Sequence, residues 1–185
     1  MTKNINNQFQ ELCIKGNLEK VKQFYFNNLT FNIFACNEYA FQLACCYGHL
    51  EVAKWLLEIK PDINISANNE YALKLTCQNG HLDVAKWLLE VKPDINISSE
   101  NEYVFRYSCI KGHLDIAKWL LEVKPDINIF QYNEWAFRYA CLNGHLKVAK
   151  WLLQHKTQNH YIFANKNTIY NKKFYNKKQQ IAKQI

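Results

Sequence analysis

Cys45 and His49 stand four residues apart, and a thiol beside an imidazole is the least equipment a cysteine nucleophile or a two-ligand metal site needs. The pair returns as Cys77 with His81, Cys109 with His113 and Cys141 with His145. A reaction centre is built once, so a pair present in every unit serves architecture. No Cys-x-x-Cys or His-x-x-x-His spacing accompanies it, and no glycine-rich phosphate loop or further Ser, Cys or His constellation appears. The sequence therefore argues against an enzyme and points to no catalytic, metal-ligating or cofactor-binding residue. Disulfides are also excluded among Cys13, Cys45, Cys77, Cys109 and Cys141. Equivalent positions of stacked units lie about 10 Å apart, beyond the roughly 7 Å between Cα atoms that a disulfide can span. These cysteines are expected to fill tight helix contacts as small, weakly polar residues.

The elements that hold these residues follow a grid. Gly16, Gly48, Gly80, Gly112 and Gly144 are separated by 32 residues, as are Pro61, Pro93 and Pro125, and Trp55, Trp87, Trp119 and Trp151. Fixed self-similarity of this length marks a repeat array built from one supersecondary unit. From His49 onward, Leu50, Val52, Ala53, Trp55, Leu56, Leu57 and Ile59 cover a wide arc at helical spacing and leave Glu51, Lys54 and Glu58 on a narrow polar strip. Trp55 lies at the edge of that arc, where half-burial against the next unit's helix is expected. Lys60-Pro61 stops the helix, and Asp62-Ile63-Asn64-Ile65 reads as a short extended finger. A shorter helix is expected to begin at Asn37, Asn69, Asn101 and Asn133, with the Asn as N-cap and the following Glu at the positive end of the dipole. Gly48 then ends it with a left-handed turn.

Helix, glycine turn, helix and finger in this order resemble the ankyrin repeat over roughly residues 5 to 160. Gly48-His49, Leu56-Leu57, Asp62 and Asn64, with their counterparts in later units, match the family's pattern. Its Thr-Pro-Leu-His is replaced by Tyr39-Ala40-Phe41-Gln42, Tyr71-Ala72-Leu73-Lys74, Tyr103-Val104-Phe105-Arg106 and Trp135-Ala136-Phe137-Arg138. The family's threonine cap and its inter-repeat histidine are lost with that motif. One residue is also missing from the usual period, in the finger. This wording is most similar to the divergent ankyrin proteins of giant DNA viruses of amoebae. The resemblance implies an all-α ankyrin-repeat solenoid of about five helix-turn-helix units with short extended fingers. Residues 1–36 are read as an N-terminal capping repeat, 37–158 as repeats, and 159–185 as a basic tail.

The resemblance also implies a protein-binding role, on the groove formed by finger tips and short helices. Gly48 to Ile65 and Gly80 to Ile97 differ only at Glu51/Asp83 and Ile59/Val91, whereas the finger tips and one face of the short helix vary. Unequal drift after duplication would give the same pattern. That face carries Tyr39, Gln42, Leu43 and Cys46, then Tyr71, Lys74, Leu75 and Gln78, and grows richer in aromatic and cationic residues toward the C-terminus. Tyr, Trp and Arg dominate binding hot spots. The expected partner site is therefore Tyr103, Arg106, Tyr107, Ile110, Lys111, Phe130, Tyr132, Trp135, Arg138, Tyr139 and Leu142. Some of these aromatics are expected to wedge between finger and helix instead.

Charge is segregated. Residues 1–134 hold 13 Lys and Arg against 16 Asp and Glu, whereas residues 135–185 hold 10 Lys and Arg and no acid. Lys172-Lys173 and Lys177-Lys178, interleaved with Phe174 and Tyr175, make nucleic-acid binding or nuclear addressing an alternative, although an A+T-rich coding genome supplies Lys and Asn without selection. A ubiquitin-ligase adaptor is a further alternative, but Asn159 to Ile185 is short and polar for the apolar helical segment it needs. No signal peptide or membrane span is read in the sequence. The expectation is a monomeric intracellular protein, in the cytoplasm of a host cell or in its nucleus, that binds another protein.

Overall fold

A computed structural model describes residues 2–29, 38–129 and 131–158, with side chains for 5–29, 38–129 and 134–155. Ten helices and no strand occur among the described residues. The chain divides into two compact units, Met1–Ser99 and Glu100–Ile185.

The first unit holds three helical hairpins: α1 (Thr2–Lys15) with α2 (Leu18–Asn27), α3 (Tyr39–Cys46) with α4 (Leu50–Ile59), and α5 (Ala67–Asn79) with α6 (Leu82–Val91). Helix α3 lies between α1 and α5, and α2 lies beside α4, so the hairpins stack with a row of first helices backed by a row of second helices. Helix α4 buries Val52, Ala53, Trp55 and Leu56, the arc its sequence spacing predicts. Phe9, Cys13, Val21, Phe41, Cys45, Leu73, Cys77 and Leu88 complete the seam. Each such side chain contributes roughly 1.5–3 kcal/mol when fully withdrawn from water, less for cysteine. The second unit repeats the plan with α7 (Ser99–Lys111), α8 (Leu114–Val123), α9 (Gln131–Leu142) and α10 (Leu146–Gln158). Phe105, Cys109, Ile116, Leu120, Phe137, Cys141 and Leu152 form its core.

The grid cysteines are free and buried, as expected. Burial pushes the Cys13 thiol up to about 12 and those of Cys45, Cys77 and Cys109 higher still. Thiols so disposed are poor nucleophiles at neutral pH. The grid glycines all have positive φ, for example 70° at Gly16 and 76° at Gly48. Their second constraint comes from the following repeat: a Cβ at Gly16 would enter the ring of His49, and one at Gly48 the ring of His81. At Gly144 no described residue stands in the same space, and its φ of 81° is what calls for glycine there.

His49 restores, from another position, the inter-repeat tie that the loss of Thr-Pro-Leu-His removes. His49 Nε2 lies 2.6 Å from Ile14 O, an acceptor, so this nitrogen carries the proton. Thr76 Oγ1 donates to Cys45 O at 3.2 Å, and Asn79 Nδ2 to Cys46 O at 2.8 Å. Within the second unit, Asn143 Nδ2 donates to Ile110 O at 2.9 Å. In each case a side chain of one repeat satisfies last-turn carbonyls that the preceding short helix cannot pair internally. That makes folding of neighbouring hairpins interdependent, the nearest-neighbour coupling of repeat arrays.

Two expectations are corrected. Asn69 and Asn101 do not cap. Asn69 and Asn101 sit at φ 56° and 59°, inside left-handed turns formed by Asn68–Glu70 and Glu100–Glu102. Asn37 lies outside the described residues, as does the side chain of Asn133. The paired glutamates serve the next repeat and not their own helix. Glu38 Oε1 accepts from Asn64 N at 3.3 Å and Glu70 Oε1 from Asn96 N at 3.4 Å. A genuine Asn cap occurs elsewhere, at Asn17, whose side chain accepts from Lys20 N at 3.0 Å. Each finger opens on a turn, in which Ile63 N donates to Lys60 O at 3.2 Å; beyond it Ile63 and Ile65 are buried and Asn64 between them is exposed, the alternation the sequence predicts. Lys reaches over the proline to Asp in each finger, as in Lys92–Asp94 and Lys124–Asp126 at 2.9 Å. Finally, Trp55 packs edge-on against Tyr25 and Trp87 lies tilted against Phe41, both rings of the preceding repeat. Trp55 is buried and not half-buried, because Tyr25 closes over its edge.

Candidate functional site

Helices α7 and α9 bring together most of the residues that the sequence nominates. Tyr103 and Tyr107, one turn apart on α7, stack with centroids 4.1 Å apart. Tyr107 meets the edge of Trp135 at 6.1 Å, and Trp135 meets Tyr139 at 5.3 Å. The result is a continuous aromatic ladder across two neighbouring short helices. Offset and edge-to-face pairs at such distances are each worth about 0.5–1.5 kcal/mol beyond buried area, so the ladder is a rigid surface before any partner arrives. Tyr103, Tyr107 and Trp135 are half-buried, whereas Tyr139 and Leu142 are 39% and 50% exposed. Lys111 is exposed and Arg138 half-buried. A depression of about 370 Å³ is lined by Arg106, Trp135, Arg138 and Tyr139.

Two of the nominated residues are nearly covered, although Arg106 still lines that depression. Arg106 and Ile110 are only 7% and 8% exposed. The guanidinium of Arg106 is turned inward: Nε donates to Asn101 O at 2.8 Å, Nη2 to Glu100 O at 3.0 Å, and its carbon lies 4.4 Å from the centroid of the Trp135 ring. Ile110 is covered while its carbonyl receives Asn143. Gln42 and Lys74, expected on the exposed face, are buried like Arg106. For Arg106 the reason is geometric: three residues beyond Tyr103, it points back under the turn that opens the helix. Phe130 and the side chain of Tyr132 lie outside the described residues, as does the tail 159–185.

The structure also presents a cleft that the sequence did not single out. In the first unit, Asn7, Gln10, Glu38, Tyr39, Gln42, Ala67 and Asn68 line a depression of about 500 Å³. It is larger than the one beside Trp135, but its walls are mostly small or uncharged polar groups, and a single aromatic ring lines it. Size alone does not make it the better site: hot-spot side chains concentrate on α7 and α9. The contacts that build it run from α1 to the start of α5, far apart in sequence, so no local motif announces it.

Among the described residues, no group of three or more His, Cys, Asp or Glu is placed to hold a metal ion. No helix among them is long and apolar enough to cross a membrane. No curated protein matches the chain. The family model for ankyrin repeats (3 copies) matches residues 9–99 and 92–163, which together cover most of the sequence. Hairpins ended by a positive-φ glycine and stacked through buried cysteines, the first of them tied to the next by His49, give that match its physical content, and the chain belongs to the ankyrin repeat family.

Proposed function

We propose that the second unit captures a segment of another protein on the surface formed by Tyr103, Tyr107, Trp135, Arg138 and Tyr139. Ankyrin repeats are generally protein–protein interaction modules, and ankyrin repeat proteins are typically non-enzymatic scaffolds. The observation that carries the finer reading is the aromatic ladder itself, partly exposed and already ordered by its own ring contacts. Rigid tyrosines and tryptophans bury large area at low entropic cost, and Arg138 and Lys111 add donors for an acidic or mixed segment. On this reading the protein acts inside the cell as a monomer, and, for a chain of the divergent viral type, the partner is a host protein. Its domain plan is a capping repeat over 1–36, repeats over 37–158 and a basic tail from 159.

The test is affinity capture from cell extract with the wild type and a folded Tyr107→Ala/Arg138→Ala/Tyr139→Ala variant, read by mass spectrometry. Partners lost from the variant support the site. An unchanged set of partners moves the site elsewhere, with the Gln42 cleft next in order.

A second reading rests on the charge of residues 135–185, which carry ten Lys and Arg and no acid. Binding of single-stranded DNA, measured over a salt series for the full chain and for one ending at residue 158, separates it from the first. Phosphate contacts weaken steeply with salt, so binding that survives truncation or ignores salt speaks against the tail.

A further inference from the structure

The left-handed turns that open the short helices are costly for residues other than glycine, yet they recur. Asn68, Asn69 and Glu70 have φ of 56°, 56° and 63°, Glu100, Asn101 and Glu102 have 51°, 59° and 62°, and Glu134 has 62°. Runs of this kind persist only where the surroundings over-determine them. Four residues after the last glutamate of each turn stands a cation: Lys74, Arg106 and Arg138. In the second hairpin the equivalent residue is Gln42, and there Glu38 has φ −66°. The sign of φ at the glutamate thus follows the charge of the residue four positions on.

Arg106 shows why. Its guanidinium is taken out of water, and a buried cation without acceptors is far more costly than backbone strain. The left-handed run places the carbonyls of Glu100 and Asn101 against it, at 3.0 and 2.8 Å. Lys74, buried to 4% exposure, follows an opening turn with the same dihedral signature. Gln42, neutral, makes no such demand. We infer that the buried cation at this position specifies the left-handed opening turn. Arg106 is a positioning residue: it fixes the finger's last turn on one side and the Trp135 ring on the other. The turn-specifying role stands whether or not the aromatic ladder proves to be the binding surface.

The test uses full-length chains and backbone NMR, in which the one-bond Cα–Hα coupling separates positive from negative φ. R106Q is expected to bring Glu100, Asn101 and Glu102 to negative φ and to leave residues 68–70 unchanged, whereas R106K, which matches Lys74, is expected to keep the turn. K74Q is expected to do to residues 68–70 what R106Q does to 100–102. A folded R106Q or K74Q that retains positive φ at all three positions overturns the inference. Should neither glutamine variant fold, Q42K decides: a shift of Glu38 to positive φ supports the inference. A Glu38 that stays at negative φ, or a chain that no longer folds because the new cation finds no carbonyls, overturns it.

Discussion

Alanine at Gly16 should be much more damaging than alanine at Gly144, although the two backbones are alike, with φ of 70° and 81°. Placing a side chain in the left-handed region costs about 1–2 kcal/mol at either position. At Gly144 no described residue stands in the way. At Gly16 the new methyl group would occupy the ring of His49, so the imidazole must leave and its 2.6 Å hydrogen bond to Ile14 O must break. A net hydrogen bond is worth about 0.5–1.5 kcal/mol, with more lost if the carbonyl stays buried and unpaired. The expected totals are about 2–4 kcal/mol for G16A and about 1–2 kcal/mol for G144A. Urea unfolding followed by helical circular dichroism measures both, each unit's transition being fitted separately if they part. The stronger version is the cycle G16A, H49A and G16A/H49A, which lies wholly within the first unit. With His49 gone, G16A should cost no more than G144A, a coupling of about 1 kcal/mol or more. Strictly additive effects at Gly16 and His49, or equal costs at Gly16 and Gly144, would refute the claim that Gly16 makes room for the next repeat's histidine.

Asn69 is exposed and left-handed, so N69A should destabilise the protein by about 1 kcal/mol relative to N69G, which is free to adopt that conformation; thermal or urea melts decide it. Thiol labelling of the native protein at mildly alkaline pH, resolved by peptide mass spectrometry, should modify the half-buried Cys46 before Cys13, Cys45, Cys77 and Cys109, whose thiols burial keeps protonated. Hydrogen bonds from Lys92 and Lys124 hold the carboxyls of Asp94 and Asp126 below the usual aspartate range. The stability they confer is therefore complete above the ordinary aspartate pKa of about 3.9 and is lost as pH falls through the lowered values. The urea-midpoint difference between wild type and K92A/K124A should be small at neutral pH, shrink in added salt and close in acid; a difference that grows in acid would contradict this.

Much of this molecule is local and was therefore legible in the residues alone. The 32-residue grid, the apolar arc from Leu50 to Ile59 and the Lys-Pro stop depend on interactions within one hairpin, and the helices lie where those patterns put them. Repetition also told structural from chemical cysteines: Cys13, Cys45, Cys77, Cys109 and Cys141 are all buried and free. What misled was the inference from one helix's own geometry to its surroundings. Asn69 has the chemistry of a cap, but Lys74 and Arg106 lie buried after their opening turns, and the chain bends left-handed there. Arg106 has the chemistry of a hot spot, but the carbonyls of Glu100 and Asn101 and the face of Trp135 claim it first.

The sequence by itself determined the unit, its length, its turn residues and its apolar face, because each arises from neighbours a few positions apart along one helix or turn. Only the tertiary structure decided which polar side chains are spent on the next repeat and which remain for a partner. His49, Thr76, Asn79 and Glu38 are committed to backbone groups 26 to 35 residues away. Such a choice depends on which unpaired carbonyl or amide stands within hydrogen-bond reach after the hairpins stack, and periodicity along a single chain does not carry that distance.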